Sequence, residues 1–300
     1  MNKMVKRLLL FTVSVPAIVL IVLKLDHCNQ LAINILVVIF SALGAVELSE
    51  LIAPKKLIIG KAEAAALGAA APAAMTLTVS FGLGFNGLLV PAVIAGAVSW
   101  LLASRIFSSG EKLENAINRI AAGFAVLLYP GILMAWIVRM GNWENAKYLI
   151  LTFFCLVFAG DSAAWAAGKL FGRRNRGVIP ASPKKSAAGF IAGIAAPMLI
   201  GTGAALYWPL MFEPRFAAAL AELPAPLLAQ AAGPVAGAVL GLLTAVAAAL
   251  GDLGESVIKR SSGLKESGNI IPGRGGVLDS VDSLSLAAPV FYLAFRLLFN

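Results

Sequence analysis

Histidine is nearly absent from this 300-residue chain, which has one, His27, and cysteine is little commoner, at Cys28 and Cys155. Charge is scarce as well: 15 acidic and 24 basic residues make up 13% of the sequence. Each shortage excludes something. The two cysteines have neither metal-ligand spacing nor a pairing pattern, so they read as structural filler. A lone histidine beyond the first apolar run leaves the polar segments downstream with no imidazole base. So little charge, with 60% apolar residues and a mean hydropathy of +0.88, lies far outside the soluble range. Only helices or closed barrels satisfy the backbone in lipid. Barrel strands would read as alternating segments of about ten residues, and the unbroken Ala, Leu, Val and Ile runs here do not. The composition predicts an all-α, polytopic integral membrane protein.

Nine apolar runs have spanning character, at roughly 8–23, 31–52, 62–81, 86–103, 117–138, 147–168, 186–208, 232–250 and 284–299. Lys24-Leu25-Asp26-His27 follows the first run where a small-residue cleavage site would stand, so that run reads as an uncleaved span. No repeat or low-complexity linker divides the chain, which reads as one membrane domain over 1–300. Residues 209–231, amphipathic and broken by prolines, read as a helix or loop in the outer interface. Glu47 and Glu50 fall inside the second run, where an acid is costly. A ligand role and a snorkelling or helix-pairing role both stay open for them.

Two polar stretches carry the chemistry. Residues 251–283 read GDLGESVIKRSSGLKESGNIIPGRGGVLDSVDS, with five of the fifteen acids and four basic residues. Taken as a helix, Asp252, Glu255, Ser256, Lys259 and Arg260 share one face, and Leu253, Val257 and Ile258 take the other. Gly263, Gly268 and Pro272-Gly273 then break it, and Gly275-Gly276 free the backbone to approach a ligand. The loop is expected to end with Asp279 and Asp282, three residues apart. Carboxylates for a metal, cations for phosphate and a glycine loop suit a metal–phosphate site. An ordinary positive-inside loop would account for the Lys and Arg but not for acids at helical spacing. In the second stretch, 159–193, Asp161, Trp165, Gly168, Lys169 and Gly172 lie along one helix face. Arg173, Arg174 and Arg176 follow, then Ser182-Pro183-Lys184-Lys185-Ser186.

The later stretch resembles the signature of the phosphatidate cytidylyltransferases (CDP-diacylglycerol synthases). Ser256, Lys259, Arg260, Lys265, Pro272, Gly273, Gly275, Gly276, Asp279 and Asp282 stand in register with it. Glu266, Arg274 and Ser280 replace the family's Asp, His and Arg. The earlier stretch is similar to a second block of the same family through Asp161, Ala164, Gly168, Gly172, Ser182, Pro183, Lys184, Lys185, Gly189 and Gly193. It departs at Trp165, Ser186 and Ala188. The resemblance runs over about 159–299. It implies transfer of CMP from CTP to phosphatidate, giving CDP-diacylglycerol and pyrophosphate, with Mg²⁺. On that basis Asp252 and Asp279, with Glu255 or Asp282, would hold the metal. Lys259, Arg260 and Lys265 would take the CTP phosphates or leaving pyrophosphate, beside Ser256 of the same motif. Ser182, Lys184 and Lys185 would take the phosphatidate headgroup or the triphosphate. Gly273, Gly275 and Gly276, with Arg274, would shape the nucleotide loop. The implied partners are CTP, phosphatidate and the bilayer of the inner (cytoplasmic) membrane, and a homodimer is one assembly compatible with them. A CTP-dependent enzyme acting on an isoprenoid lipid and a degenerate, non-enzymatic homologue are the competing expectations.

Counting cations on alternate sides of the nine runs gives an orientation. One side receives Lys3, Lys6, Arg7, Lys55, Lys56, Lys61, Arg105, Lys112, Arg119, the six of 169–185 and the four of 251–283. The other receives only Lys24, Arg139, Lys147, Arg215 and Arg296. The N-terminus and both polar stretches are therefore expected in the cytoplasm. The net charge of +9 then belongs to loops near anionic headgroups and does not indicate nucleic acid. A fluorescent reporter that folds only in the cytoplasm should stay dark when fused after Asn300, and a bright fusion would reverse the orientation.

Overall fold

The computed structural model describes residues 3–106, 109–208, 211–212 and 226–299. Nine helices organise them: α1 (Lys3–Lys24), α2 (His27–Ile52), α3 (Lys61–Phe81), α4 (Leu89–Ala103) and α5 (Ala116–Met140), followed by α6 (Ala146–Phe171), α7 (Ala187–Tyr207), α8 (Pro226–Ser261) and α9 (Leu278–Phe299). A single helical turn, Glu111–Glu114, precedes α5. No strand occurs among the described residues, only two isolated bridges. Seven of the helices are long and apolar enough to cross a membrane. The protein is an all-α, multi-pass membrane protein. Helix α4, with 15 residues, rises about 22 Å, short of the ~30 Å hydrocarbon core. Of the amphipathic segment expected over 209–231, residues 209–210 and 213–225 lie outside the described residues, and 226–231 form the start of α8.

Helix α8 runs unbroken through the polar residues to Ser261, so Asp252 to Arg260 are helical, as their spacing predicts. Two findings differ from the sequence expectations, one through polar contacts and one through exposure. Helix α9 begins at Leu278, six residues before the expected apolar run, so Asp279 and Asp282 belong to its first turns and not to a loop. Both cysteines are free and exposed, so neither fills the core.

The chain divides into two units. The first comprises Met1–Lys147 with Val257–Ser285, and the second Tyr148–Ser256 with Leu286–Asn300. In the first, α2 and α3 cross where Gly68 has no side chain. A Cβ there would meet the Ala45 side chain and, at 2.8 Å, the Ser41 carbonyl oxygen. Helix α5 passes through one wide turn at Leu127–Ile132 around Pro130, whose missing N–H interrupts the regular ladder. In the second unit, Phe153 packs on Phe291 with ring centroids 5.3 Å apart, and Phe212 meets Phe295 edge-on at 5.5 Å. Helices α6 and α7 approach through small residues: a Cβ on Gly189 would lie 2.8 Å from the Ala164 carbonyl oxygen, and one on Gly160 would lie 3.0 Å from that of Gly193. Lipid gives apolar helices no hydrophobic drive to associate, so such close backbone packing holds them together.

Helices α7 and α8 are tightest at Gly201 and Gly237, where a Cβ on either glycine would collide with the other's carbonyl. Gly96 of α4 has open space around it. Gly237→Leu is therefore expected to cost at least about 1–3 kcal/mol by overpacking, whereas Gly96→Leu should be neutral or gain up to about 1 kcal/mol of helix propensity. Thermal midpoints in detergent measure the contrast, and equal midpoints would contradict the crossing.

Candidate functional site

Two polar clusters hold most of the residues expected to act, one in each unit. The first is built on the segment between α8 and α9. Helix α8 stops because Gly263 takes a left-handed conformation (φ +73°), and Leu264 N–H then returns to the Lys259 carbonyl at 2.9 Å. Farther on, Ile271 and Gly275 close a tight turn. Ile271 N–H donates to the Gly275 carbonyl at 2.8 Å, and Gly275 N–H donates to that of Ile271 at 3.0 Å. Pro272, Gly273 and Arg274 form its tip. Gly273 (φ +84°) and Gly275 (φ +120°) occupy conformations that side chains resist. A Cβ on Gly275 would also press on Asp279 Oδ2 at 2.5 Å.

This loop is folded around two carboxylates. Glu47 of α2, 3% exposed, accepts from Val277 N–H at 2.9 Å, Leu278 N–H at 2.8 Å and the Ser267 hydroxyl at 3.1 Å. Its acid therefore sits on the N-terminus of α9, where unpaired N–H groups and the helix dipole favour an anion. Burying a carboxylate costs several kcal/mol, and a hydrogen bond to a charged group contributes about 1.5–3 kcal/mol. One bond would leave Glu47 a liability, whereas two N–H bonds, with the Ser267 hydroxyl shared between Glu47 and Asp279, offset its burial. Of the two roles open for Glu47, the structure shows it as a helix-pairing acid. Glu50, three residues on, is half exposed and pairs with Lys61.

Asp279 is the second carboxylate. Its Oδ2 accepts from Ser267 N–H at 2.8 Å, the Ser267 hydroxyl at 2.9 Å and Gly276 N–H at 2.8 Å. Its Oδ1 holds Lys259 Nζ at 2.5 Å, and both side chains of this pair are nearly buried, at 8% and 12% exposure. Ser267, which no sequence motif singles out, thus lies between Glu47 and Asp279. Asp282 is buried one turn farther along α9. Arg260 is exposed and donates to the Leu264 carbonyl at 3.3 Å. Lys265 is exposed and Arg274 half-buried, and neither has a carboxylate partner among the described residues. Ser280 donates to the Gly276 carbonyl at 3.3 Å.

The second cluster joins α8 to the loop before α7. Lys185 forms an ion pair with Asp252, and its ammonium also lies 5.7 Å from the centre of the Phe190 ring. The neighbouring Ser186 caps α7, accepting from Gly189 N–H at 3.1 Å. Gly168 and Gly172 of α6 make room for this cap: a Cβ on Gly172 would lie 2.7 Å from the Ser186 oxygen. The spacing of Gly168, Gly172, Ser186 and Gly189 is thus a packing requirement that fixes where Lys184 and Lys185 emerge. Lys184 is exposed, with no carboxylate partner among the described residues, and Ser182 is half-buried beside it. Glu255 is fully buried whereas Val257 is 53% exposed. The polar face of α8 thus contributes a buried acid, while its Arg260 is exposed. Lys169 stacks over Trp165 at 5.1 Å, which ends the face that begins at Asp161.

Among the described residues no three His, Cys, Asp or Glu side chains converge, so the four acids expected at Mg²⁺ form no protein-only cage. Mg²⁺ needs less than that, because it keeps several waters and binds through one or two carboxylates plus substrate phosphates. Asp252 and Glu255, one turn apart on α8, supply oxygen donors of that kind. Asp279 has its Oδ2 filled by three donors and its Oδ1 shared with Lys259.

The near-burial of the Lys259–Asp279 pair has a measurable consequence. Lys259→Met alone strands a carboxylate and should cost about 3–5 kcal/mol. In Lys259→Met with Asp279→Asn, the amide oxygen keeps the loop N–H groups and the charge is gone. Denaturation in detergent should show the double variant to be more stable than Lys259→Met, and a double variant of lower stability would contradict the pair.

The model of the cytidylyltransferase family matches residues 5–298. The phosphatidate cytidylyltransferase of Pseudomonas aeruginosa is 38% identical over 177 residues, covering 58% of this chain and 56% of that protein. The phosphatidate cytidylyltransferase of Synechocystis is 37% identical over 153 residues, 50% of this chain and 44% of its own length. That of Haemophilus influenzae is 30% identical over 210 residues, 66% of each. The chain thus spans about half to two thirds of the length of these curated relatives. The family model covers nearly the whole chain, both polar clusters included, and the chain belongs to the cytidylyltransferase family.

Proposed function

We infer that this protein transfers CMP from CTP to phosphatidate, releasing pyrophosphate and forming CDP-diacylglycerol at the cytoplasmic face of the inner membrane. The observation that carries this reading is the Lys259–Asp279 pair, held beside a glycine turn whose residues stand in the family's register. The relatives named phosphatidate cytidylyltransferase support the lipid substrate.

The chemistry asks little of the protein beyond positioning and charge. A phosphate oxygen of phosphatidate attacks the α-phosphorus of CTP. The bond from that phosphorus to the bridging oxygen breaks, and pyrophosphate leaves with the electron pair. The nucleophile is already anionic at neutral pH, so no base is required, in keeping with two clusters that contain no histidine. The difficulty is repulsion: two like unit charges ~4 Å apart repel by about 4 kcal/mol in a surface-like dielectric, and these phosphates carry more than one each. Cations offset that repulsion as substrate binds. Lys265, Arg274 and Lys184 meet phosphate without first leaving a carboxylate. Lys259 and Lys185 are aimed by their acids, and Arg260 and Ser256 lie on the same stretch of α8 as Lys259. Ser182 stands beside Lys184. Gly273, Gly275 and Gly276 let the backbone come close to the nucleotide. Mg²⁺, held by Asp252 and Glu255 with water and substrate oxygens, would neutralise further phosphate charge.

Purified protein in detergent, given CTP, Mg²⁺ and phosphatidate, should form CDP-diacylglycerol and pyrophosphate in equal amounts. Lys259→Ala and Lys185→Ala should each lower turnover at least ~100-fold, equivalent to about 2.7 kcal/mol of barrier, and Arg274→Ala at least ~10-fold. Arg173→Ala, in a loop whose charge serves topology, should stay within about threefold. No product from phosphatidate, with product from a polyprenyl phosphate, would move the reading to an isoprenoid lipid.

A further inference from the structure

The family's motif residues lie in the two later polar stretches, yet one of the two carboxylates around which the glycine turn is folded comes from α2. Glu47 is separated by 220 residues from Ser267 and by 230 and 231 from Val277 and Leu278, its three donors. Ser267 is the hinge between this acid and Asp279. Its hydroxyl lies 3.1 Å from Glu47 Oε2 and 2.9 Å from Asp279 Oδ2, and it accepts the Asp279 N–H at 3.2 Å. A hydroxyl carries one proton, so it donates to one carboxylate at a time and keeps both oxygens at contact distance. There is no slack around it. A Cβ on Gly276 would collide with both the Ser267 oxygen and Glu47 Oε2, and one on Gly268 would crowd Glu47 Oε1 at 2.5 Å. A continuous chain of contacts therefore runs Glu47, Ser267, Asp279, Lys259.

We propose that Glu47 and Ser267 are positioning residues for phosphate binding, fixing the Asp279 carboxylate and through it the Lys259 ammonium that receives the CTP triphosphate. This rests on the reading of Lys259 given above. The physical reason is entropic: a lysine stem carries about 2 kcal/mol of rotamer freedom, which a fixed carboxylate removes before the ligand arrives. Asp279 is itself fixed only if Oδ2 is anchored, and Ser267 supplies two of its three anchors there.

Equilibrium binding of CTP, read beside thermal midpoints in detergent, tests the proposal. Ser267→Ala removes the bridging hydroxyl and little else. Glu47→Gln turns an amide NH₂ toward one of the N–H donors that the carboxylate now accepts. Each is expected to weaken CTP binding at least about fivefold in the parent, and less than about twofold once Lys259→Ala is present, because the route to phosphate is then gone. A merely structural role would lower the midpoint but leave the binding loss equal in both backgrounds, which overturns the proposal. If Glu47→Gln does not fold, Ser267→Ala decides alone. Parent-like binding by Lys259→Ala would overturn the assignment of Lys259 and the relay with it. Weak binding by Lys259→Ala with parent-like binding by Ser267→Ala would overturn the relay and leave the assignment standing.

Discussion

The glycine turn depends on one buried acid. The N–H groups of Val277 and Leu278 at the start of α9 need acceptors, and within the preceding segment Ser267 serves Asp279 N–H instead. Glu47 reaches them from α2 and takes the Ser267 hydroxyl with the same carboxylate. Once those bonds form, α9 starts at Leu278, Asp279 turns back onto Gly276 and Ser267, and Lys259 is held at the end of α8. The glycines at 268, 275 and 276 follow from this crowding, since a Cβ at each would strike one of the two acids or Ser267.

The other cluster solves a similar problem with different parts. There the cap is local: Ser186 begins α7, and Gly168 and Gly172 let it lie against α6. Lys185 is then delivered to Asp252. In both clusters a lysine is held by a carboxylate on a rigid helix, and a helix N-terminus sits next to it. The positive end of a helix dipole and nearby cations together favour phosphate, and they do so without histidine or cysteine.

Composition and run length were enough to read the helical class and the approximate place of nine helices, because the cost of an unpaired backbone in lipid leaves few alternatives. The motifs are enough to place Lys259 and Asp279 in one polar stretch and Lys185 in the other, but neither the Lys259–Asp279 pair nor the Lys185–Asp252 pair can be read from them. What the sequence did not disclose depends on distance along the chain. Nothing near Glu47 announces partners more than two hundred residues away, and Ser267 looks like any loop serine. For the same reason the start of α9 is hidden in the sequence: Val277 to Ser283 reads as polar loop until Glu47 is seen accepting the Val277 and Leu278 N–H groups. The polar face of α8 is legible from spacing, but which of its residues is buried is not: Glu255 lies within, whereas Arg260 of the same face is exposed.

Amide hydrogen exchange resolved to single residues tests the central claim most directly, because it reads the Glu47 bonds themselves without reference to activity. If α9 is capped by Glu47, the Val277 and Leu278 amides, with Ser267 and Gly276, should be as slow to exchange in detergent as amides inside α9, while Ile270 on the exposed part of the loop exchanges quickly. Exchange of Val277 and Leu278 at the rate of Ile270 would contradict the account.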